Sequence, residues 1–135
     1  MEVIKEVGGD DIKVVFIRDD QNVVLEALYV KGFSEDKYKK LKKYIKEKLG
    51  EEFPSIVSID TGKALGRALL IGADLVNNSL INDVVELESD KVSRWINDGV
   101  LKELVDKVAS ETKGAKKARK RKSRRKRRKT RRKKK

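Results

Sequence analysis

The sequence predicts a small two-layer α/β sandwich, a mixed sheet with helices on it, followed by a disordered basic C-terminal tail. Three observations predict it. Short β-branched runs alternate with stretches of helical periodicity, one of those stretches carries a capping residue at each end, and beyond Thr112 apolar residues nearly cease while basic ones continue to Lys135. Alternating strands and helices around one core give an α/β or α+β sandwich. A body of about 110 residues is long enough to bury one such core, and a second domain is not expected. The division is therefore a globular domain over 1–112 and a Lys/Arg-rich tail over 113–135.

Ile12-Lys13-Val14-Val15-Phe16-Ile17 reads as a buried strand that ends in Arg18-Asp19-Asp20-Gln21-Asn22, a cluster of turn and helix-cap residues. Residues 23–30 read two ways: their Val and Tyr content suits a hairpin partner, while Val24, Leu25, Leu28 and the stop at Gly32 suit a short helix. Ser34 is an N-cap, after which Tyr38, Leu41, Tyr44, Ile45 and Leu49 recur at helical spacing as far as a left-handed C-cap at Gly50. Beyond Pro54, Ser55-Ile56-Val57-Ser58-Ile59-Asp60 reads as a second buried strand, and a turn at Thr61-Gly62 leads into a second helix over 63–76. That helix is rich in small residues. Its internal Gly66 and Gly72 each cost about 1 kcal/mol relative to Ala, which predicts a close approach by something else on that face. Val84-Val85-Glu86-Leu87-Glu88 reads as a third strand with Ser89-Asp90 capping the next helix, which extends from Val92 to Val108 with a break at Asp98-Gly99.

Charge is distributed as unevenly as structure. The chain has 35 Lys and Arg against 22 Asp and Glu, a formal net charge of +13. Eighteen of the basic residues and none of the acidic ones lie in 113–135, so residues 1–112 keep seventeen basic and twenty-two acidic side chains, a net of −5. A segment this polar and self-repelling cannot bury enough surface to offset its ordering entropy. Nucleic acid is the partner such a segment suits, because each phosphate that Lys or Arg neutralises releases condensed counterions; six to ten contacts would lower affinity roughly 10³–10⁵-fold between 50 and 200 mM salt. Arg119, Arg121, Arg124, Arg125, Arg127, Arg128, Arg131 and Arg132 supply forked donors for bidentate phosphate contacts. Lys116, Lys117, Lys120, Lys122, Lys126, Lys129 and Lys133 supply point charges between them. No aromatic side chain interleaves, so the tail is expected to give affinity for RNA or DNA without stacking on bases or reading sequence. A ribosome or chromatin is the expected setting, with no membrane partner.

The acidic body can meet phosphate only on a local basic face. Lys39, Lys40, Lys42, Lys43 and Lys46 form one candidate face, which is equally the solvated side of an amphipathic helix. Lys63 and Arg67, four apart at the start of the expected second helix, form another, where unpaired backbone N–H groups favour an anion.

Enzyme chemistry is not expected. With no Cys and no His the chain has no thiolate or imidazole metal ligand, no Ser-His or Cys-His nucleophile and no disulfide. Thr61-Gly62-Lys63 lacks the preceding Gly of a phosphate loop, and Ala64 stands where Ser or Thr would hold magnesium. Asp10-Asp11 and Asp19-Asp20 read as solvated caps rather than metal ligands, and Trp95, Tyr29, Tyr38 and Tyr44 as core. No cofactor is expected. No apolar run approaches the roughly 18 residues of a membrane span and the N-terminus does not read as a leader, so a soluble cytoplasmic protein is expected. Abundant Lys and Glu, a single Gln and no Cys are compatible with a hyperthermophile.

From Ile56 through Asp60-Thr61-Gly62-Lys63-Ala64-Leu65-Gly66-Arg67-Ala68 to Leu69 the chain resembles the core segment of the Alba family of archaeal DNA- and RNA-binding proteins, in which a strand leads through Gly-Arg-Ala into a helix. Lys63 takes the place of that Arg, and Arg67 that of a second basic residue one turn on. Val15-Phe16-Ile17 followed by Val24-Leu25-Glu26-Ala27-Leu28 resembles the family's first strand and first helix, which favours the helical form of 23–30. The resemblance implies a sandwich related to a translation-factor C-terminal fold, dimerisation and binding to nucleic-acid backbone. Arg18-Asp19-Asp20 stands where the family carries paired lysines, and the 34–49 helix and the helical sequence after Val92 have no counterpart. Two functions fit: a non-catalytic nucleic-acid-binding protein with little sequence preference, or an archaeal ribosomal protein or other structural ribonucleoprotein component.

Overall fold

The computed structural model describes the backbone of residues 1–74 and 78–122 and the side chains of 1–73 and 78–111. Five strands come first with one helix among them: β1 (Glu2–Gly8), β2 (Ile12–Arg18), β3 (Val24–Val30), α1 (Glu35–Leu49), β4 (Ser55–Ile59) and β5 (Gly62–Leu70). A single 3-10 turn at Gly72–Asp74 precedes α2 (Asn78–Asn97) and α3 (Val100–Lys122). The strand order is β1-β2-β3-β5-β4 and every pairing is antiparallel, which corrects the expected mixed sheet. Because β3 and β4 both run against β5, they are parallel to each other, and α1 is the crossover that joins them around β5. The two-layer α/β architecture itself is as expected.

Residues 23–30 are strand, not helix. Asp19 makes the preceding segment a hairpin turn rather than a helix cap, accepting from the N–H groups of Gln21 and Val23 at 2.9 Å each, with Asn22 at φ 60°. β3 then pairs on both sides, with β2 and with β5. Residues 63–76 are also not the expected helix: 62–70 form β5, and 75–77 lie outside the described residues. Its small residues, Ala64, Gly66 and Ala68, alternate on one face while Leu65 and Arg67 occupy the other. That is a period of two. The close approach expected of its glycines is present, since a Cβ on Gly66 would lie 2.8 Å from a methyl of Val57 and one on Gly72 2.8 Å from the Gln21 carbonyl oxygen.

The Val84–Glu88 strand and its Ser89-Asp90 cap are instead the middle of α2. Ile81, Val85, Ser89 and Val92 form its buried stripe, and Leu87 is exposed. A buried serine interrupts the apolar repeat, and the Ser89 hydroxyl donates to the Glu86 carbonyl at 3.0 Å. The break at Asp98-Gly99 separates α2 from α3 as the sequence predicts. α1 is also as read: the Ser34 hydroxyl accepts from Lys37 N–H, and Gly50, at φ 71°, donates to the Lys46 carbonyl at 2.9 Å.

One core lies between the layers. It joins Val14, Phe16, Leu28 and Leu65 of the sheet to Tyr38, Leu41 and Ile45 of α1, Val85 and Val92 of α2, and Leu101 and Val108 of α3. On the opposite sheet face Val15, Ile17, Ala27 and Ala64 are buried outside this core. The sheet curls over them: Ile59, Asp60 and Thr61 at the β4–β5 turn share a cavity of about 210 Å³ with Met1, Val3, Val15 and Ile17 from β2 and the N-terminus. Small side chains at 27, 64 and 66 leave room for that curvature.

The expected boundary at residue 112 is not a break in the backbone. α3 continues to Lys122, ten residues into the segment expected to be disordered. Lys, Arg and Ala are good helix formers, and a helix already nucleated on packed residues 100–111 extends at little cost per residue. Residues 123–135, on which the rest of that expectation falls, lie outside the described residues.

Candidate nucleic-acid interface

Lys63 and Arg67 sit on a strand, so neither stands at a helix N-terminus. Lys63 is exposed, and its ammonium pairs with Glu35 of α1 at 3.1 Å, holding that carboxyl below the usual range. Arg67 is in a different position altogether. Its Nε donates to Glu26 Oε1 at 2.8 Å, and its two terminal nitrogens donate to Glu51 Oε1 at 2.7 Å and Glu88 Oε2 at 3.0 Å. The guanidinium carbon lies 4.4 Å from the centre of the Phe53 ring. With 13% of its side chain exposed and all three nitrogens engaged, Arg67 is a structural cross-link between β3, β5, the segment after α1, and α2. The expected phosphate contact at Arg67 is corrected on that ground: a phosphate would have to displace three carboxylates from a stacked and largely buried fork.

Lys91 completes the cluster, 3.0 Å from Glu51 and 3.1 Å from Glu88. Three carboxylates thus face two cations. Glu26, fully buried on β3, has the highest desolvation and carries the imbalance: burial pushes its carboxyl up to about 7, against the pull of Arg67 and with the help of neighbouring Glu88. Among the described residues its Oε2 has no hydrogen-bond partner. Burial also acts upward on Glu51, but hydrogen bonds from Arg67 and Lys91 outweigh it and hold that carboxyl low. Sequence reasoning missed this network. Its one visible trace was a lone acid, Glu26, in the apolar run 23–30.

The α1 lysines divide into two flanks. Lys37 lies over the Phe33 ring. Lys39, Lys42, Lys43 and Lys46 line the other flank and share an open groove of about 460 Å³ with Glu52. Lys42 donates to the Pro54 carbonyl at 3.3 Å, which ties its stem to the β4 approach. Lys39 and Lys46 have only loose, exposed pairs, with Glu35 at 3.9 Å and Glu52 at 3.6 Å. Lys40 and Lys43 have no ion pair among the described residues.

α3 carries the basic segment away from the body beside the same helix. The Tyr44 hydroxyl donates to Glu111, and the Lys107 ammonium lies 4.3 Å above the Tyr44 ring. Of the tail residues expected to bind, Lys116, Lys117, Arg119, Lys120, Arg121 and Lys122 fall on the helical continuation of α3, and Arg124 through Lys133 lie outside the described residues.

Among the described residues no group of three Asp or Glu is placed to hold a metal ion, and no helix is long and apolar enough to cross a membrane. Compared with family models, curated proteins and solved structures, the chain matches none of them.

Proposed function

We propose that the protein binds the sugar-phosphate backbone of RNA or DNA, mainly through its C-terminal basic segment, with little sequence preference and without catalysis. The observation that supports this is the segregation of charge: eighteen cations and no anion in the last 23 residues, attached to a body of net −5. Polycations bind polyphosphate by counterion release, which needs neither a pocket nor a reactive group. The described helical extension bears on the mode, since α3 anchors the start of the segment against α1 and gives it a defined point of departure. The reading rests on charge and not on the Alba-like segment, whose Arg67 is engaged within the fold.

The test compares the full chain with residues 1–112 for binding to RNA and DNA duplexes across a salt series. Among the described residues the core ends at Val108, and a cut after 112 keeps all of it. Truncation is expected to abolish most of the affinity and to flatten the dependence of log K on log salt. Equal binding by the two chains would refute the proposal.

The acidity of the body favours one more specific setting, a structural component of a ribonucleoprotein whose folded part stays at the surface while the basic segment enters the RNA. Comigration with a ribosomal subunit after a high-salt wash would support it; recovery with the nucleoid alone would favour chromatin.

A further inference from the structure

The basic segment supplies affinity but gives the folded domain no orientation on a polyanion. The domain's own charge is ordered, however. α1 carries seven lysines against Glu35, Asp36 and Glu47, a net of +4, so the remainder of 1–112 amounts to −9. We infer that the lysine-lined flank of α1 is a second phosphate-backbone site, which seats one strand of a double helix already held by the C-terminal segment; the inference rests on the nucleic-acid reading above.

Geometry and exchange both favour this site. Lys39, Lys42, Lys43 and Lys46 follow one another at helical spacing along one groove, and the span from 39 to 46 is about 10 Å at 1.5 Å per residue. One strand of a duplex advances about 3.4 Å along the axis per phosphate while winding around it, so neighbouring phosphates are further apart than that rise and the groove faces about two to three of them. The groove is also easily vacated by its present partners. Glu35 and Glu52 hold Lys39 and Lys46 only at 3.9 and 3.6 Å on the exposed surface, where ion pairs contribute little, and Lys43 has no ion pair among the described residues. Lys42 is steadied by the Pro54 carbonyl and so keeps its ammonium at the groove wall.

The nature of the surface selects the backbone of a helix rather than unpaired bases. Among the described residues no aromatic side chain lines the groove, and Phe53, next to Glu52, is buried under Arg67, so a base finds no platform there on which to stack. Position completes the case. The basic segment leaves the body at Glu111 against Tyr44, on the flank of α1 opposite the groove, and a helix with its side chains is about 10–12 Å across. A duplex gripped by the segment therefore lies within reach of the lysines, while the remainder of the body carries a net of −9.

The test uses the full chain with K39A/K43A/K46A, leaving the hydrogen-bonded Lys42 in place. The control, K5A/K31A/K102A, removes the same charge from elsewhere on the body. Binding of RNA and DNA duplexes of about two helical turns is followed by fluorescence anisotropy from low to high salt, with circular dichroism to confirm folding. The groove variant is expected to lose about tenfold in affinity at low salt and to lower the slope of log K against log salt by about 2 to 3, at roughly 0.9 per phosphate contact. The control is expected to stay within about twofold. Equal losses in the two variants would overturn the site, as would a groove variant that fails on anionic vesicles but binds duplex normally. Absence of salt-sensitive binding by the unmodified chain would overturn the nucleic-acid reading itself, and the inference with it; loss confined to the groove variant supports both.

Discussion

Glu26 shows how far a residue's chemistry is set by neighbours remote in sequence. It is fully buried on a central strand, and its counter-charge, Arg67, is 41 positions away. A glutamate that titrates at 4.5 when solvated is raised here to about 7, first by burial, against the pull of Arg67. Between those two values the folded state holds more protons than the unfolded one, so the contribution of this residue to stability is complete below pH 4.5 and is lost as pH rises through about 7. Glu51, whose carboxyl is held low, works in the opposite sense: its contribution is present above pH 4.5 and is lost as pH falls below its folded value. Glu26→Gln keeps an oxygen for Arg67 Nε and leaves two carboxylates facing two cations. Unfolding free energies from urea titrations between pH 5 and 8 are expected to fall for the native chain relative to this variant, by about 1–3 kcal/mol at the alkaline end. Parallel profiles would show that Glu26 does not titrate in that window. The same cluster explains why Arg67 was misread from sequence. Nothing in a linear pattern announces that acids 16, 21 and 41 positions away converge on one guanidinium, whereas the lysines of α1 were legible because a helix shows its outer face as a simple periodicity.

At the scale of elements, legibility followed the strength of local signals. α1 has both caps and an uninterrupted stripe, so its ends were readable, and β2 is a short β-branched run between turns. β5 is the contrary case. Ala64, Leu65, Ala68 and Leu69 favour a helix by propensity, and only placement between β3 and β4 makes them strand. The informative feature was the alternation of small residues at 64, 66 and 68, which lie on the concave face of the curl. Gly66 is the tightest point of it, because the space a Cβ would need is filled by Val57 at 2.8 Å. Gly66→Ala is therefore expected to destabilise the fold by about 1–3 kcal/mol through overpacking. Val57 is β-branched and has few rotamers with which to yield, so adding Val57→Ala should recover much of that loss. A denaturant-based double-mutant cycle reads the coupling directly, and additive losses would place the strain elsewhere. α2 was hidden for a related reason: Ser89 occupies a core position, and with it removed from the apolar pattern Val84 to Glu88 alternates like a strand.

For the molecule as a whole, the division into an acidic body and a basic extension was plain in the charge count, but its geometry was not, since the sequence does not show that α3 starts the extension beside α1. On the proposed function, that junction would make the groove and the basic segment two linked contacts rather than one. A weak site on a repelling body gains from being tethered: once the segment is bound, the groove meets phosphate at an effective concentration set by the connection between them. Two consequences distinguish this from simple addition of charges. In residues 1–112 alone, K39A/K43A/K46A should change duplex binding little, because the unlinked groove is too weak to register against a net charge of −5. In the full chain, inserting a flexible Gly/Ser linker of about twenty residues after Thr112 should lower the effective concentration and so shrink the difference between native and groove-variant lysines, while leaving the contribution of the segment in place. Anisotropy titrations of the four full-length chains, with and without the linker, measure that difference. If the lysine substitutions are as damaging with the linker as without it, the groove acts independently of the segment, and the position of α3 beside α1 has no part in binding.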